Sequence, residues 1–104
     1  MIYDERIYTL KPGKTQEYLE IYAAHGLKLQ TSIVGDMVGY FYTEFGPLNQ
    51  LVHIWRYESL EDRSAKRKEL LSRSQWHDYA QRVRPLIQSQ ENKLLLPAPF
   101  SPNP

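Results

Sequence analysis

Apolar and polar positions alternate along this chain with two periods, and their succession predicts the order strand, helix, strand, strand, helices, strand. Ile2 to Leu10 alternates as a strand, with Asp4, Arg6 and Tyr8 on one face and Tyr3, Glu5, Ile7 and Thr9 on the other. Lys11-Pro12-Gly13-Lys14 stops it with turn residues. From Thr15, a suitable N-cap, Tyr18, Leu19, Tyr22, Ala23 and Leu29 recur at helical spacing as one apolar face. Gly26 within that helix marks either a close-packing contact or an early helix end. Met37 to Phe45 reads as a second strand rich in aromatics, and Gly46-Pro47-Leu48-Asn49 as the hairpin loop leading into a third, Gln50 to Tyr57. Ser59-Leu60-Glu61-Asp62 is a helix start with acids near the positive end of the dipole. A break at Ser72 to Gln75 precedes another helix, with Trp76, Tyr79, Ala80, Val83 and Ile87 on one face, which Pro85 should end near Arg84. Lys93 to Leu96 is a short closing strand, and residues 97–104 form a Pro-rich tail on what reads as a single domain, 1–104.

The third strand organises the rest because it is apolar on both sides. Leu51, His53, Trp55 and Tyr57 point one way, Val52 and Ile54 the other. Two apolar faces need two covers. The expectation is that helices lie over Val52 and Ile54, while Leu51, Trp55 and Tyr57 are covered by a second copy of the sheet. With right-handed crossovers, the βαββαβ order then gives an α+β, ferredoxin-like antiparallel sheet with helices on one face, two such sheets meeting in a homodimer.

Composition narrows the class. Over 104 residues, 41% hydrophobic and 24% charged content is ordinary for a soluble protein and suggests no membrane partner. A net charge of +1 argues against a nucleic-acid partner. RNA-recognition domains do share the βαββαβ order, and Val38 to Phe45 echoes one of their strands. Yet Val38 stands where a basic residue is needed and Phe41 where a small one is. The absence of cysteine removes disulfides, thiolate nucleophiles and Cys-ligated metals. Met1 to Arg6 is strand-like and carries acids where a signal peptide needs an apolar run, so a cytoplasmic location is the default expectation. Eight tyrosines suit interfaces and half-wet pockets, as well as ordinary core.

Several motifs in order resemble one family. Tyr3-Asp4-Glu5-Arg6-Ile7-Tyr8-Thr9-Leu10-Lys11-Pro12-Gly13 is similar to the opening strand and turn of NIPSNAP domains. His53-Ile54-Trp55-Arg56-Tyr57-Glu58-Ser59-Leu60 with Arg63 resembles their central segment, and Trp76 with Pro97-Ala98-Pro99-Phe100-Ser101-Pro102 their ending. Asp4 replaces the usual Glu, and Glu5 stands where an apolar residue is usual. The resemblance implies the dimeric α+β barrel superfamily and a family of largely undefined biochemical activity.

Among chemically able side chains, His53 leads for proton transfer, since only His titrates near neutral pH unaided; a hydrogen-bonded structural His is the competing reading. Arg6 and Asp4 share a strand face and suit either an anionic ligand or a buried ion pair. Tyr8, Tyr42, Trp55 and Tyr57 would line an aromatic pocket or simply fill an interface. His25 and His77 lack any zinc-ligand spacing, so no metal is expected. No cofactor is expected either; an axial haem role for His53 has only the analogy of the wider superfamily. Walker, dinucleotide and serine-hydrolase motifs are missing. Lys66-Arg67-Lys68 reads as a solvated helix face or a minor docking patch. The functional expectation is a small aromatic or acidic metabolite bound, with or without being transformed, between the sheet and a dimer partner. The other class is a non-enzymatic scaffold in which the same residues only hold the dimer, and whether the protein is an enzyme stays open.

Overall fold

Alternation from Ile2 builds β1 (Ile2–Leu10), and a turn with Gly13 at φ 77° releases the chain into α1 (Thr15–His25). Helix α1 ends at Gly26. A Cβ there would lie 2.9 Å from Cδ1 of Tyr22 and 3.0 Å from Cε1 of Tyr79, so this residue both breaks the helix and admits two rings against its backbone. The chain re-enters helix at once as α2 (Leu27–Val34), followed by β2 (Met37–Tyr42) and β3 (Gln50–Tyr57). Ser59 caps α3 (Leu60–Leu71), its Oγ accepting the Asp62 N–H at 3.1 Å. After α4 (Ser74–Val83), Pro85 sits in a single 3-10 turn, Arg84–Leu86, which delivers the chain to β4 (Ile87–Leu95). The computed structural model describes residues 1–102, so the last two positions of the expected Pro-rich tail lie outside the described residues.

The four strands form one antiparallel sheet in the order β2-β3-β1-β4, the α+β ferredoxin-like arrangement that the pattern predicts. Two strands differ in extent from the expectation. Strand β2 stops at Tyr42 rather than Phe45, because the Thr43 N–H already bonds the Gln50 carbonyl at 3.0 Å and closes the hairpin. Strand β4 begins at Ile87 rather than Lys93. Its Gln88 to Asn92 stretch is exposed along an edge bonded only to β1, and such a strand shows no apolar alternation.

The two faces of β3 are the reverse of the expectation. Leu51, His53, Trp55 and Tyr57 are buried under the chain's own helices, while Val52, Ile54 and Arg56 lie on the side without helices and are only partly covered. Both sides of β3 are apolar at their centres, so the flanks decide. The polar ends Gln50 and Arg56 share the Val52 face, whereas the other set is larger, aromatic and better suited to fill a core. Cross-strand pairing carries the correction to β1. Asp4, Arg6 and Tyr8 sit opposite Trp55, His53 and Leu51 and so face the helices, and Glu5, opposite Ile54, faces outward. Glu5 is therefore no charge pressed under a helix. A bulge at Val38 lets Met37 and Tyr40, three positions apart, pair with Trp55 and His53 and share the inner face.

The interior divides into two clusters. Leu10, Tyr18, Tyr22, Leu51, Tyr79, Val83 and Leu86 form one, and Val34, Trp55, Tyr57 and Leu70 the other. On β3, Leu51 belongs to the first and Trp55 to the second. His53 stands between them on the same face of the strand.

Candidate functional site

Beside the first cluster, a cavity of about 320 Å³ lies between the sheet and the helices of the same chain, a size suited to a small ligand. It lies on the opposite side of the sheet from the helix-free face, where a dimer partner is expected, with Arg6, Tyr8 and His53 turned to the chain's own helices. One row across the sheet supplies its floor: Asn92, Arg6, His53 and Tyr40 stand side by side on β4, β1, β3 and β2. Of these, Arg6, His53 and Tyr40 line the cavity, joined by Tyr8 from β1, Tyr18 and Tyr22 from α1, and Arg67 from α3. Trp76 and Tyr79 from α4 complete the wall, and the exposed Arg84 and Gln90 mark its mouth.

His53 is held on three sides. Tyr40 stacks on it at 4.4 Å with 13° between planes, Tyr8 meets it edge-on at 4.9 Å, and the indole Nε1–H of Trp55 donates to its Nδ1 at 2.7 Å. An indole nitrogen can only donate, so Nδ1 must be the unprotonated, accepting nitrogen, and the neutral ring carries its proton on Nε2. That Nε2 is buried with no hydrogen-bond partner among the described residues. Burial, with the positive charge of Arg6 next, pushes the His53 pKa down to about 3. A ring so placed is a neutral donor at neutral pH rather than a base. It also suits no haem: ligation through Nε2 would require the proton to move to Nδ1, where it would confront the Trp55 N–H. Among the described residues there is no group of three or more His, Asp or Glu able to hold a metal ion.

Arg6 is fixed by its own strand. Its Nη1 donates to Asp4 Oδ2 at 3.2 Å and its Nε to the Tyr8 hydroxyl at 3.2 Å. Asp4 is almost fully buried and also accepts from Arg63 Nε at 3.1 Å and Asn92 Nδ2 at 3.4 Å, so it serves as the anchor behind Arg6 and not as a cavity wall. Arg67, one helical turn beyond Arg63 on α3, is different. It is half-buried, pairs with no carboxylate among the described residues, and has its pKa drawn below the usual arginine range by burial and then by Arg6. Across the cavity, Tyr22 donates to Gln30 Oε1 at 2.7 Å and Tyr79 to the Tyr18 hydroxyl at 2.9 Å. Burial raises the pKa of Tyr18, Tyr22, Tyr40 and Tyr79, so these phenols stay neutral.

Of the residues singled out in the sequence, the structure brings Arg6, Tyr8 and His53 together at the cavity and puts Asp4 and Trp55 directly behind them. Tyr57 lies further along β3 in the second cluster, and Tyr42 is an exposed edge residue away from the cavity. The sequence reading put Arg67 on a solvated helix face or minor docking patch, whereas it is half-buried at the cavity; it missed Tyr40 and Gln30, and took Tyr18, Tyr22 and Tyr79 as helix core only. A signal for Arg67 was present: Arg63, Arg67 and the buried Leu70 recur at helical spacing, placing both arginines on the inner face of α3.

Set beside known proteins, the NIPSNAP family model matches residues 3–102. A NipSnap homolog from Dictyostelium discoideum is 32% identical over 96 residues, covering 92% of this chain and 42% of that protein. The chain thus spans less than half the length of this curated relative. A crystal structure of a NIPSNAP family protein from Agrobacterium tumefaciens superposes with a TM-score of 0.96 at 44% identity, covering 99% of this chain and 98% of the other. An antibiotic biosynthesis monooxygenase superposes with a TM-score of 0.68 at 15% identity, covering 95% of this chain and all of that one, a likeness of fold alone. The motifs along the strands, the sheet order and the family model agree, and the chain belongs to the NIPSNAP family.

Proposed function

We propose that this protein binds a small, flat, anionic metabolite, aromatic or enolic, in the cavity between its own sheet and helices. The observation that carries this reading is Arg67: a half-buried guanidinium that lines the cavity and pairs with no carboxylate among the described residues. Arg6, Arg67 and Arg84 all line the space, and no Asp or Glu among the described residues does, so its field favours an anion. Arg6 and Arg67 would grip a carboxylate or enolate, the Nε2–H of His53 would donate to it, and the tyrosine and tryptophan rings would cover its flat body. No bond-making step is assigned. The scaffold reading, in which Arg6, Tyr8 and His53 only hold a dimer, loses support because these side chains face helices of their own subunit.

The same proposal includes a homodimer of a single-domain chain, in the cytoplasm. The helix-free sheet face presents Ile7, Phe41, Val52 and Ile54, an apolar patch that a second sheet would cover. A chain without cysteine suits a reducing compartment. Calorimetric titration with a panel of aromatic and aliphatic carboxylates, in a buffer free of competing anions, tests the site. At least one aromatic carboxylate should bind, and Arg67→Gln should weaken it tenfold or more, in line with the loss of a charge-assisted hydrogen bond. Equal binding by both proteins, or none by the wild type, would overturn the reading. Sedimentation of dilute protein tests the dimer.

A further inference from the structure

His53 would ordinarily offer a ligand two choices, a donor or an acceptor, because neutral imidazole exchanges tautomers readily in water. Here the choice is removed. The Trp55 indole stands two residues along the same strand face, 2.7 Å from Nδ1, and both residues are almost completely buried. Since the indole has a hydrogen and no lone pair to offer, one nitrogen of the imidazole is permanently the acceptor. The other, on the far edge of the ring from Trp55, is left as a buried N–H with no partner among the described residues. The charged groups around it favour the same polarity. Arg6 is the direct cross-strand neighbour on β1, and Arg67 lines the same cavity from α3. Tyr40 from β2 and Tyr8 from β1 cover the ring. Asp4, which could have rewarded an imidazolium, has its oxygens taken up by Arg6, Arg63 and Asn92.

We infer that Trp55 is a positioning residue for the ligand site: by occupying Nδ1 of His53, it turns the imidazole into a fixed Nε2–H donor beside Arg6. The head of the site then selects groups that present only acceptor atoms, a carboxylate or enolate, over groups of the same shape that also carry N–H or O–H donors. The inference rests on the anion-binding reading above and adds to it the source of its selectivity. Mere packing of the indole against Val34 and Leu70 would impose no tautomer and no such preference.

Two measurements separate the possibilities. On wild-type protein labelled with nitrogen-15, a scalar coupling through the hydrogen bond should connect Trp55 Nε1 to His53 Nδ1, and the ring shifts should report a single Nε2–H tautomer at neutral pH. Benzoate and benzamide serve as probes of equal shape. Wild type should prefer benzoate, and Trp55→Phe, which keeps a ring in the core but loses the N–H, should populate the second tautomer and lower that preference about tenfold, the scale of one hydrogen bond to a charged group. A wild-type Nδ1–H tautomer, an absent coupling, or an undiminished preference in Trp55→Phe overturns the inference. Failure of wild type to bind either probe while the coupling is present overturns the ligand reading beneath it instead. Because the coupling is read on the native chain, poor folding of Trp55→Phe does not remove the test.

Discussion

Asp4 and His53 are two titratable side chains buried almost completely in this fold, on neighbouring strands and facing the same helices. They differ in how completely they are satisfied. Asp4 gathers two arginines and an asparagine around its oxygens, whereas His53 has one nitrogen engaged and one without a partner among the described residues. The first arrangement is a finished structural network, since every strong acceptor has donors. The second is unfinished, and burying an unpartnered N–H costs stability unless something outside the chain completes it. Depth of burial therefore marks no site by itself; incompleteness does.

This contrast can be broken by experiment, beginning with the acid limb of stability. His53 has an ordinary pKa near 6.5 when unfolded and about 3 when folded, so between these values the unfolded chain holds one proton more. Its neutral burial is fully tolerated above about pH 6.5, and stability should fall by about 1.4 kcal/mol per pH unit as pH drops toward 3. Denaturant melts across that interval should show a shallower slope for His53→Gln, and equal slopes would refute the depressed titration. Next in size, Asp4→Ala should cost about 3 kcal/mol at neutral pH, because it strands Arg6 and Arg63 in a largely covered place. A loss below about 1 kcal/mol in urea melts would show that water already satisfies both arginines. Smallest should be Arg67→Gln. With no carboxylate to abandon, it should leave stability within about 0.5 kcal/mol, or raise it slightly, while abolishing anion binding. A large destabilisation there would place Arg67 with Asp4 on the structural side of the comparison.

Much of this was legible in the chain itself. The period-two run from Gln50 to Tyr57 and the cap at Ser59 place β3 and α3 where they are found, because both signals are local. Arg6, Tyr8 and His53 could be grouped in advance because alternation and antiparallel pairing put them on one surface. Which way that surface faces was not legible. Both sides of β3 are apolar, and the decision belongs to the helices, whose tyrosines pack with Leu51 and whose Val34 and Leu70 pack with Trp55. Strand β4 was read too short for a related reason: with solvent along its exposed stretch, the pairing with β1 leaves no trace in side-chain character. Tyr42 illustrates the limit of composition, since an edge tyrosine and a pocket tyrosine are the same letter. Gln30 meets Tyr22 across the break at Gly26, and the angle between the successive helices α1 and α2 that brings them together is not encoded in the apolar pattern of either.

Among the described residues the charged side chains lining the cavity are all arginines, which has a practical corollary for anyone handling the protein. If the anion-binding proposal holds, a chamber with three arginines and, among the described residues, no acid would hold whatever oxyanion is abundant. Citrate, phosphate or acetate carried through purification would act as a competitor and make a weak natural guest look inert. Exchange into chloride-poor zwitterionic buffer should therefore precede any ligand screen.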